Sequence, residues 1–229
     1  MSKKIKVLTI SDHPLSPSGV GTQTRYVVEA LLKSGNFEVI SLGGAMKHRD
    51  YKPVYVEPFE EDWRIIPVDG YGNQEMIRSI IRNEKPDILW FMTDPRFYEW
   101  LWEMENEIRP LLPMVYYHVW DNKPLPMFNK KFYESNDHIA TISRVTHECV
   151  KGVAPTVDAT YLPHAVDSKY FNPRTLEEKN EIRSQVLPAE DHDKFIVFWN
   201  NTLGENNLAV YYGGGLSGSL SESCLEKYR

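Results

Sequence analysis

Two short stretches carry residue types that could do chemistry. The first is "SPSGVGTQTRY", residues 16–26, directly after the first hydrophobic run. Gly19, Val20 and Gly21 lie in it. Glycines let backbone N–H groups come close to an anion, and a helix start adds unpaired N–H donors and a positive dipole end. Such a segment receives a phosphate or a diphosphate. A tight turn that only packs the helix on a sheet accounts for it equally well, because neither the P-loop nor the dinucleotide fingerprint is present. The second stretch is "HVWDNKPLP", residues 118–126. His118 and Asp121 flank Trp120 there. A histidine at a strand end can hydrogen-bond a sugar hydroxyl or transfer a proton, and an indole can stack on a sugar face. A half-buried histidine held by its neighbours is the plainer alternative.

Other conspicuous residues have structural explanations. "WFMTDPRFYEWLW" (90–102) holds three of the six tryptophans, but Phe97, Leu101 and Met104 fall at helical spacing and suit a core. Asp94 suits a helix cap. His147 and Cys149 suit packing on a short helix, and "EPFEEDW" (57–63) suits a solvated loop.

These stretches need elements to position them, and the chain is long enough to supply a substantial core. It has 229 residues, 41% hydrophobic and 25% charged, an ordinary globular composition. The net charge of −6 argues against nucleic-acid binding, which needs clustered cations. The basic start "MSKKIK" is too short for a strong membrane signal and leaves only peripheral membrane contact open. No apolar run is long enough for a signal peptide or a transmembrane helix. Cys149 and Cys224 lie far apart without metal-ligand spacing, which suits a reduced, cytoplasmic setting and no metal.

Strand and helix patterns alternate from residue 4 to about 163. Strands are expected at 4–10, 37–42, 63–69, 87–92, 113–120, 138–143 and 158–163. Helices are expected at 22–33, capped by Thr22 or Thr24, at 73–86 with an asparagine cap, and at 94–110, 129–135 and 144–152. This alternation predicts an α/β, Rossmann-like fold: a doubly wound parallel sheet with helices on both faces. In such a sheet the ligand lies beyond the carboxyl ends of the strands. Gly19, Gly21, His118 and Asp121 are therefore predicted on one edge.

Two segments resemble the amino-terminal domain of family 4 glycosyltransferases of the GT-B fold. One is "SGVGTQTRYVVEALLKSGNFEV". The other is "NDHIATISRVTHECVKGVAPTVDATYLPHAVDSKYFNP" (136–173), in which Ser143, Pro163, Val166, Asp167, Phe171 and Pro173 match the family pattern. His164 and Ala165 replace the usual Asn-Gly. The resemblance implies transfer of a sugar from a nucleotide-sugar donor to an acceptor, with retention and without a cofactor or metal. It implies that Gly19, Val20 and Gly21 approach the donor diphosphate, that His118 and Asp121 act at the transferred sugar, and that Trp120 and Ser143 contact sugar or acceptor. A non-catalytic phosphate- or sugar-binding module and a sugar-nucleotide epimerase are the alternatives.

Three segments follow from this resemblance. Residues 1–173 form the acceptor-side domain, and 174–201 a linker and the first strand of a donor domain. Residues 202–229 are rich in Gly and Ser, lack apolar periodicity and are expected to be a disordered tail. The strand in 195–199 is accordingly expected to lack the partner sheet of its own domain, and so to dock on the first domain or to remain an exposed edge. The tail contains neither the Arg/Lys pair nor the glutamate pair of the family's donor domain. Codons rebuilt out of register after residue 201 permit Ala-Arg-Arg-Lys-Gln-Pro-Gly, the kind of basic run the family carries there. A shifted reading frame and a genuinely short chain both remain open.

Overall fold

The computed structural model describes residues 3–200 and 208–213, from 196 onward by backbone alone. The chain divides into two units, Met1–Val166 and Asp167–Arg229.

The first unit is one eight-stranded sheet with helices on both faces. Its elements run β1 (Ile5–Asp12), α1 (Gly19–Lys33), β2 (Phe37–Gly44), β3 (Val54–Val56), β4 (Glu60–Pro67), α2 (Gln74–Glu84), β5 (Ile88–Thr93), α3 (Glu99–Trp102), α4 (Glu105–Ile108), β6 (Met114–His118), α5 (Lys130–Glu134), β7 (His138–Thr141), α6 (Arg144–Val153) and β8 (Ala159–Tyr161). The strand order is β3-β4-β2-β1-β5-β6-β7-β8. Every pairing is parallel except β3 with β4, an antiparallel edge that the sequence pattern did not announce.

The doubly wound character follows from what alternate residues bury. Leu8, Ile10, Phe91 and Tyr116 face one core with Ile77 of α2, Trp102 of α3, Ile108 of α4 and Val150 of α6. Val7, Trp90, Met92 and Tyr117 face the other core with Val28 and Leu32 of α1. Strands covered on both faces read as unbroken apolar runs, which is why they stand out in the sequence. Within the second core, the Trp63 indole and the Thr9 hydroxyl both donate to Ser41 Oγ, at 3.1 and 2.8 Å, satisfying buried polar groups across three strands.

Helix boundaries obey capping chemistry. Asn73 caps α2 by accepting the Met76 N–H, as expected. α1 begins earlier than predicted. Ser18 is its cap, and Gly19 and Gly21 occupy its first turn. Thr24 cannot cap, because it is fully buried on the sheet against Met92. The expected helix at 94–110 is broken into a 3-10 turn at Pro95–Phe97 followed by α3 and α4. The break lets Tyr98 turn inward, where its hydroxyl lies 2.8 Å from the Ile10 carbonyl and 2.9 Å from that of Met92.

One buried proton thus serves the last turns of β1 and β5. Burial pushes the Tyr98 phenol well up, so it stays protonated. Tyr98→Phe is expected to remove these buried hydrogen bonds and to cost about 1–2 kcal/mol. Urea denaturation at neutral pH measures this, and an unchanged midpoint would show that the bond contributes nothing.

The second unit contains α7 (Leu176–Val186) and a two-stranded antiparallel sheet of β9 (Phe195–Asn200) and β10 (Leu208–Gly213). Thr175 and Glu178 form a reciprocal capping box at the start of α7. β9 thus pairs with a strand from the segment that was expected to be disordered. "LAVYYG" is a β-branched and aromatic run of the kind that pairs, and its place inside a Gly- and Ser-rich segment hid it. The remainder of the expected tail, 202–207 and 214–229, lies outside the described residues.

Candidate functional site

The chain leaves β1 toward β2 on one side and later returns to β5 on the other. The loops after β1 and β5 therefore diverge and open a crevice at the carboxyl edge, the usual ligand position in such sheets.

At the β1 exit, Asp12 organises the glycine segment. Its Oδ1 accepts the Tyr71 hydroxyl at 2.8 Å, and its Oδ2 accepts the Ser18 hydroxyl at 2.6 Å. Ser18 Oγ in turn accepts the Gly21 N–H at 2.9 Å. The Gly21 donor is thus consumed by the cap. The N–H groups of Gly19 and Val20 precede the first intrahelical bond and have no partner among the described residues. Tyr71 is pushed up to about 12 by burial, with the Asp12 hydrogen bond adding to the effect.

The two glycines differ in surroundings. A Cβ at Gly19 would meet nothing within 4 Å, whereas one at Gly21 would lie 2.5 Å from Ser16 Oγ and 2.6 Å from the His13 carbonyl oxygen. Neither has positive φ. His13 packs beside His48 with ring centroids 5.7 Å apart. Burial, then the neighbouring His48, lowers its pKa.

At the β6 exit, the predicted order of residues holds but their exposure differs from expectation. His118 is the last residue of β6 and is 0% exposed. Its Nε2 lies 2.8 Å from the Tyr133 hydroxyl, while its Nδ1 is buried with no partner among the described residues. Burial lowers its pKa to about 3, only weakly opposed by the Asp94 carboxylate, so the ring is neutral. A sealed, neutral imidazole has no surface to offer a substrate in this conformation. It lies instead beneath Trp120, with ring centroids 6.3 Å apart and planes 26° apart.

Trp120 is held in place by its Nε1–H donating to the Asn122 carbonyl at 2.9 Å. It lines a pocket of about 410 Å³ with Asp94, Arg96, Asp121, Asn122 and Phe128. Sequence patterning singles out neither Phe128 nor Arg96, and Asp94 only as a helix cap. Phe128 comes to the pocket by a loop whose path no local pattern announces. Asp94 does cap the 3-10 turn as expected, accepting the Arg96 N–H at 3.0 Å, and it also pairs with the Arg96 guanidinium at 2.9 Å. Its charge reaches both Tyr71 and His118, so it stands between the two halves of the edge.

Ser143 does not reach this pocket as a free hydroxyl. It caps α6, accepting the Thr146 N–H at 3.0 Å. Past β8, the Gln23 side chain brackets Ala165, donating to its carbonyl at 2.7 Å and accepting its N–H at 3.2 Å. His164 beside it meets Tyr117 edge-on, with centroids 5.5 Å apart. Of the two positions where Asn-Gly was replaced, Ala165 thus stands against α1 and His164 against β6. Cys149 is a buried free thiol whose pKa burial raises.

Among the described residues no cluster of three or more His, Cys, Asp or Glu could hold a metal ion, and no helix is long and apolar enough to cross a membrane. No family model matches the chain, and no curated protein matches it.

Proposed function

We propose that this chain supplies the acceptor-side wall of a retaining sugar transfer from a nucleotide-sugar donor, the chemistry of the family 4 glycosyltransferases that its sequence resembles. The supporting observation is the pair of unpartnered N–H groups at Gly19 and Val20, opening at the sheet edge that also carries the Trp120 pocket. These donors suit a diphosphate oxygen. Trp120 and Asp121 contact a sugar, and His118, being sealed, orients Trp120 from below. Ser143 serves through α6 and keeps its hydroxyl for the cap. No metal or cofactor has a role in this scheme.

Amide spectra test the proposal. Adding a nucleoside diphosphate is expected to shift the backbone signals of Gly19 and Val20 saturably, with a Kd of roughly a millimolar for so few contacts. Shifts confined to other regions would overturn it. A binding module without turnover is the second reading, favoured by the neutral, buried His118, which leaves no poised proton donor there. Donor hydrolysis or transfer by this chain would exclude that second reading.

A further inference from the structure

We infer that the pocket at the β6 exit is a saccharide site, and, if the proposed transfer is correct, that the acceptor it receives is itself a carbohydrate rather than a phosphate-bearing or cationic molecule. The acceptor assignment rests on that transfer reading; the saccharide site does not.

Three features carry the inference. First, the pocket has an aromatic wall. Trp120 and Phe128 meet edge-on with centroids 5.8 Å apart. Phe128 is 72% exposed, so its ring is open to a ligand from solvent. Sugars present C–H faces that suit such rings. Second, the wall is rigid before any ligand arrives. The indole is pinned through Asn122, the Trp120 carbonyl accepts the Thr146 hydroxyl at 2.6 Å, and His118 lies beneath the ring. Preorganisation of this kind lowers the ordering cost of binding. Third, the polar groups match hydroxyls. The Asp121 carboxylate and the Asn122 carboxamide have no partners among the described residues, so both are available to pair with adjacent hydroxyls.

Charge separates a saccharide from its competitors. Asp94 is already matched by Arg96, and Asp121 adds an uncompensated negative charge. An anionic ligand would face that charge without a free cation in the lining. A quaternary ammonium ion would favour the rings and Asp121 but would leave the Asn122 amide unused. A neutral polyol uses all three.

The chain can be tested as it stands, with methyl glucoside, methyl galactoside and maltose as probes. The Trp120 indole N–H, assigned by its loss in Trp120→Phe, is expected to shift saturably with at least one of them. Phe128→Ala removes an exposed ring and is expected to weaken that binding by about tenfold, with the thermal transition unchanged. Asp121→Asn is expected to weaken it as well. Inorganic phosphate and tetramethylammonium are expected to leave the signal in place. No saturable shift with any saccharide, an undiminished response in Phe128→Ala, or a response to tetramethylammonium alone would overturn the inference. The Gly19 and Val20 amides read the diphosphate in the same spectra. Loss of that response with saccharide binding intact removes the transfer reading and leaves the saccharide site standing.

Discussion

Gly21→Val is expected to destabilise the first unit by about 3 kcal/mol, whereas Gly19→Val is expected to leave stability within about 0.5 kcal/mol of the parent. The two glycines sit in the same turn of α1, so helix propensity acts on both alike. What differs is the space. At Gly21 a side chain must displace the His13 carbonyl, a backbone atom in the turn that follows β1, together with the Ser16 hydroxyl. That turn also holds Ser18 over Asp12, so the cap is disturbed with it. At Gly19 the side chain enters open solvent, but it stands where a ligand must approach the free N–H groups. Spacing alone does not separate the two residues, which read alike as one anion-receptive glycine segment. The structure assigns packing to Gly21 and leaves access to Gly19. Urea denaturation and nucleoside-diphosphate titration of both variants decide it: Gly19→Val should fold normally and lose the amide shifts. Equal destabilisation by both changes would refute the distinction.

Acid is expected to weaken the fold through His118. Its folded pKa of about 3 is depressed below the ordinary value of 6.5 because burial disfavours the charged ring. Above the unfolded pKa both states carry a neutral ring, and the group adds no pH dependence. Below it the unfolded chain takes up a proton that the folded chain refuses, so stability falls as the pH falls toward the folded pKa. The loss approaches about 1.4 kcal/mol per pH unit, or roughly 3 kcal/mol between neutrality and about pH 4. His13 and His164, also lowered by burial, act in the same direction from less buried positions. Carboxylates such as Asp87, lowered first by the Lys6 N–H it accepts, contribute only once the pH enters the unfolded carboxylate range. Chemical denaturation across that range, for the parent and for His118→Gln, isolates the histidine. The variant should show a distinctly shallower loss between about pH 6.5 and 5. Parallel curves would mean that the ring is protonated, or reached by water, in the folded chain.

The centre of the sheet was legible because β1, β2, β5, β6 and β7 are buried on both faces and so appear as apolar runs. The caps at Asn73 and Asp94 were legible because their chemistry is local. The start of α1 was misjudged because two glycines look like a loop, and only the packed neighbours of Gly21 reveal a helical turn fitted under a hydroxyl. The helix expected at 94–110 carries a sound local pattern, but Tyr98 follows the two carbonyls above it rather than its own neighbours. At the site, the type and edge position of Trp120 and Asp121 could be read directly. The burial of His118 could not, since it depends on Tyr133 arriving from α5. Phe128 escaped notice for the same reason: a pocket wall assembled from separate loops leaves no spacing to recognise.

The Asp12–Ser18–Gly21 chain has a kinetic consequence. A helix start with free donors would ordinarily hold an anion for as long as its contacts allow. Here a carboxylate sits one hydroxyl away from the Gly21 N–H in the same helical turn, and a second negative charge arriving at Gly19 and Val20 meets its field. Repulsion of this kind is felt most by the bound state, so it appears chiefly as faster dissociation, about tenfold in residence time for every 1.4 kcal/mol. Asp12 thus builds the loop and also sets how briefly it keeps what it catches. A segment of this design suits a ligand that must leave once it has been used, and would serve poorly as a permanent store.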